Sequence, residues 1–250
     1  MLKGMKKFAL SVVLMAIGLS LQAQPEPGTW TITPRIGVNS SNVSGVKIYY
    51  ADPQGAAYYP DAYYHPGVSV KSKHKWGLTA GADVEYQIHR SLAMSLGVFY
   101  SDEGFRVEHG AIEEYKEYDE NIAYYVSQPG FKLKWNLRYV NVPLLAHFYI
   151  EPNMLPGLSL KAGVQFGFFV KNNYSAEYLN DSHTKASGEI KYDRARLNIS
   201  IPAGISYSYR NFVADLRYNI GVTNIKKEVI EESSCHSNSI QLTIGYQFRL

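Results

Sequence analysis

Hydrophobic and polar residues alternate with a period of two along much of the chain. From Trp76 to Ile88 every even position is apolar, while the odd positions between them hold Gly, Thr, Asp, Glu and Gln. Alternation over this length is typical of β-strands that have one apolar and one polar face. The same pattern recurs in five further segments, which are residues 92–100, 158–170, 195–207, 212–222 and 240–250. These six segments are predicted to be strands.

Two further segments alternate less regularly. Residues 30–38 keep the period, but Pro34 lies on the apolar side and has no N–H to donate to a neighbouring strand. In residues 133–150 the apolar residues occupy odd positions up to Tyr139 and even positions from Val140. This change of phase predicts either a β-bulge near Tyr139 or a strand whose first half projects beyond the apolar layer. The total predicted is eight strands.

Short and long connections alternate between these strands. The short ones are residues 89–91, 151–157 and 208–211, and the long ones are residues 44–75, 102–131, 171–193 and 223–239. Strict alternation places every long loop at one end of an up-and-down meander. Outer-membrane barrels have this asymmetry, with short periplasmic turns and long external loops.

The distribution of charge indicates which face meets lipid. The apolar face of the six regular strands carries no charge, and a Lys or Arg at mid-membrane would cost about 2–4 kcal/mol. The polar face is rich in Gly, Ser, Thr, Asn and Gln, whereas a soluble barrel would present Lys and Glu to water. We therefore predict an all-β fold, an eight-stranded antiparallel up-and-down transmembrane β-barrel with long external loops. Its predicted polar lumen network is Arg35, Asp83, Glu85, Lys161, Asp215, Arg217 and Arg249.

A lumen of eight strands is nearly filled by its own side chains. The charged lumen residues are therefore predicted to pair and plug the barrel, because buried charges need partners. A gate or an acid–base site is the alternative interpretation of the same residues. His147 is predicted to face inward as a hydrogen-bonded lumen histidine, and a proton relay is the alternative.

The first 23 residues have the composition of a secretory signal peptide. Lys3, Lys6 and Lys7 precede an apolar run from Phe8 to Leu21. We predict cleavage after residue 23, a barrel domain over residues 24–250, and a location in the outer membrane. Without those three lysines, 22 basic residues face 22 acidic ones, so the positive net charge belongs to this segment and nucleic-acid binding loses its support.

Four segments resemble the PorT-like outer-membrane β-barrel family of Gram-negative bacteria. They are YVNVPLLAHFYI (139–150), LSLKAGVQFGFFV (158–170), ADLRYNIGVTNI (214–225) and IQLTIGYQFRL (240–250). The resemblance extends over essentially the whole mature chain. It implies an eight-stranded outer-membrane barrel, a founding member implicated in protein export across the outer membrane, and no catalytic motif.

The long loops hold the remaining candidates for chemistry. The first contains a candidate binding surface of six tyrosines, which are Tyr49, Tyr50, Tyr58, Tyr59, Tyr63 and Tyr64; tyrosine supplies rigid amphipathic contact area for a sugar or a protein. Packing of the loops over the barrel is the alternative. Residues 102–131 are acidic, which indicates a solvated strand extension or helix turn, or else a site for cations or basic peptide.

Five of the seven histidines fall in these loops, without the spacing of a metal motif. Phosphate-binding, nucleophile and dinucleotide motifs are absent from the sequence. We therefore predict no cofactor, no metal and no catalytic residues.

The function predicted from these features is a non-enzymatic outer-membrane barrel with a plugged polar lumen. Its external loops engage a partner, as a component of protein secretion or of surface binding, and its outer face contacts outer-membrane lipid. Two alternatives from other classes stay open: a surface enzyme acting on lipid or peptide through loop residues, and a small-solute channel.

Overall fold

The computed structural model describes residues 26–48, 68–69, 71–110, 112–119, 122–128, 130–150, 155, 157–179, 185–189, 197–225 and 234–250. All of its regular elements are β-strands. Eight are long: β1 (Trp30–Ser44), β4 (Lys73–His89), β5 (Leu92–His109), β8 (Phe131–Tyr149), β9 (Leu158–Tyr178), β11 (Leu197–Tyr209), β12 (Phe212–Gly221) and β13 (His236–Tyr246). Six are shorter: β2 (Lys47–Ile48), β3 (Val68–Ser69), β6 (Ile112–Asp119), β7 (Ile122–Gln128), β10 (Lys185–Glu189) and β14 (Phe248–Arg249).

The eight long strands form a closed ring of antiparallel pairs. Each pairs with the next long strand along the chain, and the ring closes because β13 pairs with β1. The pairing of β8 with β9 joins its two halves. Closure leaves no long strand with an unpaired edge in its central part. The predicted all-β antiparallel meander is confirmed.

An apolar band covers the outside of the ring. On β4 it extends from Trp76 to Ile88, and Trp76, Leu78 and Ile88 are between 45% and 68% exposed. Twelve residue steps cover ~40 Å of strand, which at a tilt of ~40° spans ~30 Å, the thickness of a bilayer's hydrocarbon core. Aromatic rings meet at the short-turn end of the band, where Trp30 lies 4.7 Å from Tyr86 and Phe212 lies 5.2 Å from Tyr246 between ring centroids.

Strand β8 keeps one phase along its whole length, which decides between the two sequence interpretations. Its odd residues face inward both before and after Tyr139, and Leu137, Tyr139 and Asn141 are all buried. A register shift does occur beside Arg138 and Tyr139, but the additional residue lies on β9. The first half of β8 therefore projects beyond the apolar band, and its apolar residues face the interior of the ring.

These inward apolar residues form a second layer in the lumen. Val43, Phe105, Val107, Leu137, Tyr139 and Ile225 make a buried cluster at the long-loop end. Phe105 stacks on Trp135 with 5.4 Å between ring centroids. We call this cluster the apolar plug; below it, toward the short turns, the lumen is polar.

The long connections are shorter than the sequence indicated, because the strands continue into them. Strand β5 runs to His109 and β9 to Tyr178, and β6 pairs with β7 in a separate hairpin. The acidic segment 102–131 is thus mostly strand, in agreement with the strand-extension interpretation. Within the described ranges no helix has the length and hydropathy that a membrane crossing needs.

Candidate functional site: the polar lumen

Six charged side chains meet inside the ring between the apolar plug and the short turns. Asp215 on β12 is at their centre, and its carboxylate oxygens lie 2.8 Å from Lys161 Nζ and 3.2 Å from Arg217 Nη2. Arg35 Nη1 lies 3.9 Å from the same carboxylate. Asp215 is 1% exposed, so each of these charges depends on the others for compensation.

Arg35 joins this centre to the neighbouring strand β4. Its guanidinium donates to both carboxylate oxygens of Asp83, through Nε to Oδ1 and through Nη2 to Oδ2 at 3.2 Å. A planar guanidinium matches a carboxylate in this two-bond geometry, which fixes orientation as well as charge. Arg35, Lys161 and Arg217 balance Asp83, Glu85 and Asp215, so the six ionised groups sum to zero.

Glu85 belongs to a second group around His147. One carboxylate oxygen lies 2.9 Å from His147 Nδ1, and the other accepts a hydrogen bond from the Tyr149 hydroxyl. His147 Nε2 lies 2.7 Å from Ser95 Oγ. His147 faces inward, as the sequence indicated, with no measurable exposure. Sequence reasoning missed Ser95 and Tyr149, although both occupy positions of their strands that alternate toward the interior.

Arg249 does not join the lumen network, which corrects the sequence prediction. It pairs in register with Thr31, whose side chain faces the interior, so Arg249 does occupy an inward position of the alternating pattern. However, Arg249 belongs to the last two-residue strand and is exposed at the short-turn end of the ring. The alternating pattern predicts which side of the sheet a residue faces, but it does not show where along the strand the enclosed lumen ends.

A third polar group lies just beyond the apolar band, below the plug. Glu103 is 4% exposed and accepts hydrogen bonds from Ser101 Oγ at 2.8 Å and Asn141 Nδ2 at 3.2 Å. Lys75 Nζ donates to the Glu103 carbonyl at 3.0 Å and lies 3.0 Å from Asp102 Oδ1. Sequence reasoning missed Glu103 and Lys75, because both fall in segments that were assigned to loops.

The ionisation of this third group is set by its surroundings. Burial raises the pKa of Glu103, and hydrogen bonds from Ser101 and Asn141 only partly oppose this shift. Burial likewise lowers the pKa of Lys75, against the attraction of Asp102. On the outer surface, the hydrogen bond from Lys73 lowers the pKa of Glu108.

The other predicted site lies outside the described residues. The six tyrosines of the first loop, from Tyr49 to Tyr64, all fall in the segment 49–67, which the structure does not describe. Of the loop histidines, His74, His109 and His236 lie on described strands. In the described part of the chain, no three His, Cys, Asp or Glu residues are grouped so as to hold a metal ion.

Comparison with known proteins places the chain in a family. Residues 22–227 match the outer membrane protein beta-barrel domain, so the chain belongs to this family and is an outer-membrane β-barrel protein. The match includes seven of the eight long strands and ends before β13. No curated protein sequence matches the chain.

Several solved outer-membrane proteins are similar to it at low identity. Ail, the attachment invasion locus protein of Yersinia pestis, is 15% identical over 89% of this chain and 99% of its own, with a TM-score of 0.35. Neisserial surface protein A is 11% identical over 88% and 97%, with a TM-score of 0.40. The outer membrane protease OmpT from Escherichia coli is 10% identical over 90% and 97%, with a TM-score of 0.43. At these scores the likeness carries no functional information.

Proposed function

We propose that this protein is a closed, non-enzymatic outer-membrane barrel that acts through the strands and loops at its long-loop end. The observation that carries the proposal is the filling of the lumen. A layer of six mutually compensating charges and the apolar plug occupy successive levels of the same ring. An eight-stranded interior offers little volume beyond its own side chains, so the chemistry available to a partner lies outside.

The small-solute channel is disfavoured by the same two layers. A permeating solute would have to separate the Arg35–Asp83 pair or the contacts of Asp215, and each separation leaves buried charge without compensation. It would then have to displace the aromatic and aliphatic side chains of the apolar plug.

The surface enzyme is also disfavoured, although one arrangement has the connectivity of a hydrolase triad. Ser95 Oγ, the His147 imidazole and the Glu85 carboxylate follow one another at 2.7 and 2.9 Å. All three residues are less than 5% exposed and face the interior of the ring. A carbonyl substrate therefore has no route to Ser95, and the arrangement acts as a structural hydrogen-bond network.

The proposal includes export by the N-terminal segment. Cleavage after residue 23 would make Gln24 the first residue of the mature protein, which N-terminal sequencing of the outer-membrane form tests directly. The narrower assignment to the PorT-like group, with a role in protein secretion, is supported by the four quoted segments and stays a prediction.

Site-specific photocrosslinking in intact cells tests the proposed partner. A photoreactive amino acid at Lys132, exposed on the outer surface of β8, should capture a protein or a surface ligand. The matched control is the same amino acid at Arg90, exposed in the short turn between β4 and β5. Specific products from position 132 and not from position 90 support the proposal. The reverse pattern would place the working surface at the short-turn end and overturn it.

A further inference from the structure

Strands β6 and β7 continue the ribbon of β5 and β8 beyond the ring. His109 pairs with Phe131 where β5 ends and β8 begins, and three residues further out along each strand Ile112 pairs with Gln128. The register is therefore the same in both pairs of strands. Strand β9 accompanies β8 as far as Tyr178, which lies opposite Phe131. Beyond that level β6 and β7 form a two-stranded sheet of their own.

One edge of β7, which we call the open edge, has no neighbouring strand among the described residues. Alternate residues of an antiparallel strand direct their backbone groups to opposite edges. On β8 the Tyr149 N–H donates to the Ser91 carbonyl beside β5 at 3.0 Å, so odd residues face β5. The unchanged register directs the odd residues of β7 to β6 in the same way. The open edge is therefore lined by the backbone groups of three even residues, which are Tyr124, Val126 and Gln128.

The sequence of β7 lacks the features by which proteins protect an open edge. Charged side chains, proline and short length all discourage pairing with another chain. The seven residues of Ile122–Gln128 include no charged residue, no Gly and no Pro. Two other strands with a single neighbour in the described sheets are protected: β6 has five charged residues among eight, and β10 has Lys185 and Glu189 at its ends. Strand β7 is therefore the edge that can accept a further strand.

The open edge lies clear of the membrane. Gln128 is twelve residues beyond Val140, the last residue of the apolar band on β8. This separation is ~40 Å along the strand and ~30 Å along the membrane normal at a tilt of ~40°. The headgroup layer is only ~5–8 Å thick on each side of the hydrocarbon core. An occupant of the open edge therefore comes from the aqueous side and is not a lipid.

A second copy of this chain fits the open edge poorly. Two copies in one membrane run in the same direction, so their β7 strands would meet in parallel. Parallel pairing is less stable per residue than antiparallel pairing. A segment of another protein is free to approach in the antiparallel direction.

The charge of β6 indicates the chemistry of that segment. Four acidic residues, Glu113, Glu114, Glu117 and Asp119, against Lys116 give β6 a net charge of −3. A strand added to β7 would lie two strand spacings from β6, which is ~10 Å and about one Debye length at physiological salt. Long Lys and Arg side chains can shorten this distance, because their flexible stems let the charged group extend toward the carboxylates. The ribbon therefore favours a basic segment over a neutral or acidic one.

We propose that the open edge of β7 binds an extended, Lys- or Arg-rich segment of a partner protein as an additional antiparallel strand. Main-chain hydrogen bonds of strand addition supply affinity, and the carboxylates of β6 select for positive charge. The segment would take the place beside β7 that β9 has beside β8. This inference rests on the proposed function, since it names the kind of partner that is met at the long-loop end.

Binding of a defined peptide to the full mature protein in uncharged detergent micelles tests the proposal. The probe is a short fluorescent peptide in which Lys and Thr alternate, and its fluorescence anisotropy reports binding. The unmodified protein should bind this peptide. The same peptide with Glu in place of Lys should bind more weakly, because its charge repels β6. A version with every backbone N–H methylated should not bind, because it cannot donate to a strand edge.

Variants of the ribbon separate the open edge from the rest of the hairpin. Val126→Pro removes an N–H at the open edge and should weaken peptide binding roughly tenfold, since one net hydrogen bond contributes about that factor. Val126→Ala keeps the N–H and should bind like the unmodified protein. Lys116→Pro is the matched control, because Lys116 lies opposite Tyr124 in register and its N–H faces the other edge of the ribbon. It should bind at least as tightly. Heat-dependent migration on gels verifies that each variant is folded.

Four outcomes would overturn the proposal. The first is absence of peptide binding by the unmodified protein, and the second is equal binding of the Lys and Glu peptides or of the methylated peptide. The third is equal weakening by Val126→Pro and Lys116→Pro, which would assign the loss to a disrupted hairpin. The fourth is a dimer of the unmodified protein that Val126→Pro dissociates, which would assign the open edge to a second copy.

The crosslinking experiment at position 132 distinguishes this inference from the proposed function. A cellular product from position 132 that persists in the Val126→Pro variant would leave the proposed function standing and overturn strand addition. Edge-dependent binding of the Lys peptide, with no cellular product from position 132, would support the open edge as a binding site and count against the proposed function.

Discussion

Arg35 and Asp83 are 48 residues apart in sequence and share two hydrogen bonds across adjacent strands, with side chains only 2% and 7% exposed. This pair ties β1 to β4 inside the ring. Arg35 also lies 3.9 Å from Asp215 on β12, and Asp215 contacts Lys161 on β9, across the lumen from β1. The polar lumen is therefore one network that crosses the ring, and its members should respond together when one is removed.

Asp215→Asn should be the most damaging single change within this network. It leaves the buried cations of Arg35, Lys161 and Arg217 without the carboxylate that they share. Loss of one partner from a buried ion pair costs about 3–5 kcal/mol. Denaturant titration in detergent micelles measures the resulting fall in the free energy of unfolding.

Leu216→Val is the matched control on the adjacent residue. Leu216 faces outward and is 43% exposed, so detergent or lipid fills the space of the lost methylene. Its cost should stay within ~1 kcal/mol, as for most exposed substitutions. Equal losses from Asp215→Asn and Leu216→Val would contradict a compensated charge centre.

Gly245→Ala should destabilise the ring by crowding Arg35. A Cβ at residue 245 would lie 2.6 Å from the Pro34 carbonyl oxygen and 2.7 Å from Arg35 Cγ. Backbone and guanidinium would both have to shift, at a cost of about 1–3 kcal/mol. Gly110→Ala is the control, since a Cβ there meets nothing within 4 Å and should be close to neutral in the same unfolding titration.

Glu103→Gln should change how stability depends on pH. Burial raises the pKa of Glu103 above its ordinary value of 4.5. The folded state then holds the proton more tightly than the unfolded state. The stabilisation from this residue is therefore full below 4.5 and is lost as pH rises through the folded pKa. The variant should gain stability relative to the unmodified protein as pH increases from acidic to neutral.

Glu108→Gln, on the same strand, should change the pH dependence of stability in the opposite direction. Lys73 lowers the pKa of Glu108, so that carboxylate stabilises the fold above its unfolded pKa and less as pH falls. Unfolding titrations of both variants over the same pH series measure whether their stability relative to the unmodified protein changes with pH in opposite directions. A constant difference between the Glu103→Gln and unmodified proteins at all pH values would show that Glu103 does not titrate in this way.

The two ends of the barrel should differ in accessibility from outside the cell. In a Cys235→Ser background, Lys132→Cys should react with a membrane-impermeant maleimide on intact cells, because β8 continues beyond the apolar band there. Arg90→Cys lies in a short turn and should react only after the outer membrane is permeabilised. Reaction of Arg90→Cys alone on intact cells would reverse the orientation.

The sequence predicted the strands of the ring well because the pattern that marks a strand depends only on residues within that strand. A period of two follows from the strand itself, so the strands from Trp76 to Ile88 and from Phe212 to Val222 were evident without any knowledge of their neighbours. At Tyr139 the same pattern left two interpretations open, because inward residues of β8 are polar below the plug and apolar within it. Periodicity shows which residues share a face, but not what that face meets.

The site was less predictable because its contacts depend on register between distant strands. Sequence reasoning selected Glu85 and His147 as inward residues, but their contact with Ser95 and Tyr149 depends on how β4, β5 and β8 align. The prediction that Arg249 faces the lumen used only its place in the alternating pattern, and the residue lies at the exposed end of the final strand. Contacts that join residues more than 50 positions apart leave no local pattern.

The closed lumen is tested most directly by planar-bilayer recording of the purified mature protein. The account predicts no steady conductance from the unmodified protein, because the six-charge layer and the apolar plug both occupy the lumen. Arg217→Leu, which removes one cation from Asp215, should show brief openings. A large and steady conductance from the unmodified protein would contradict the closed barrel and establish a channel.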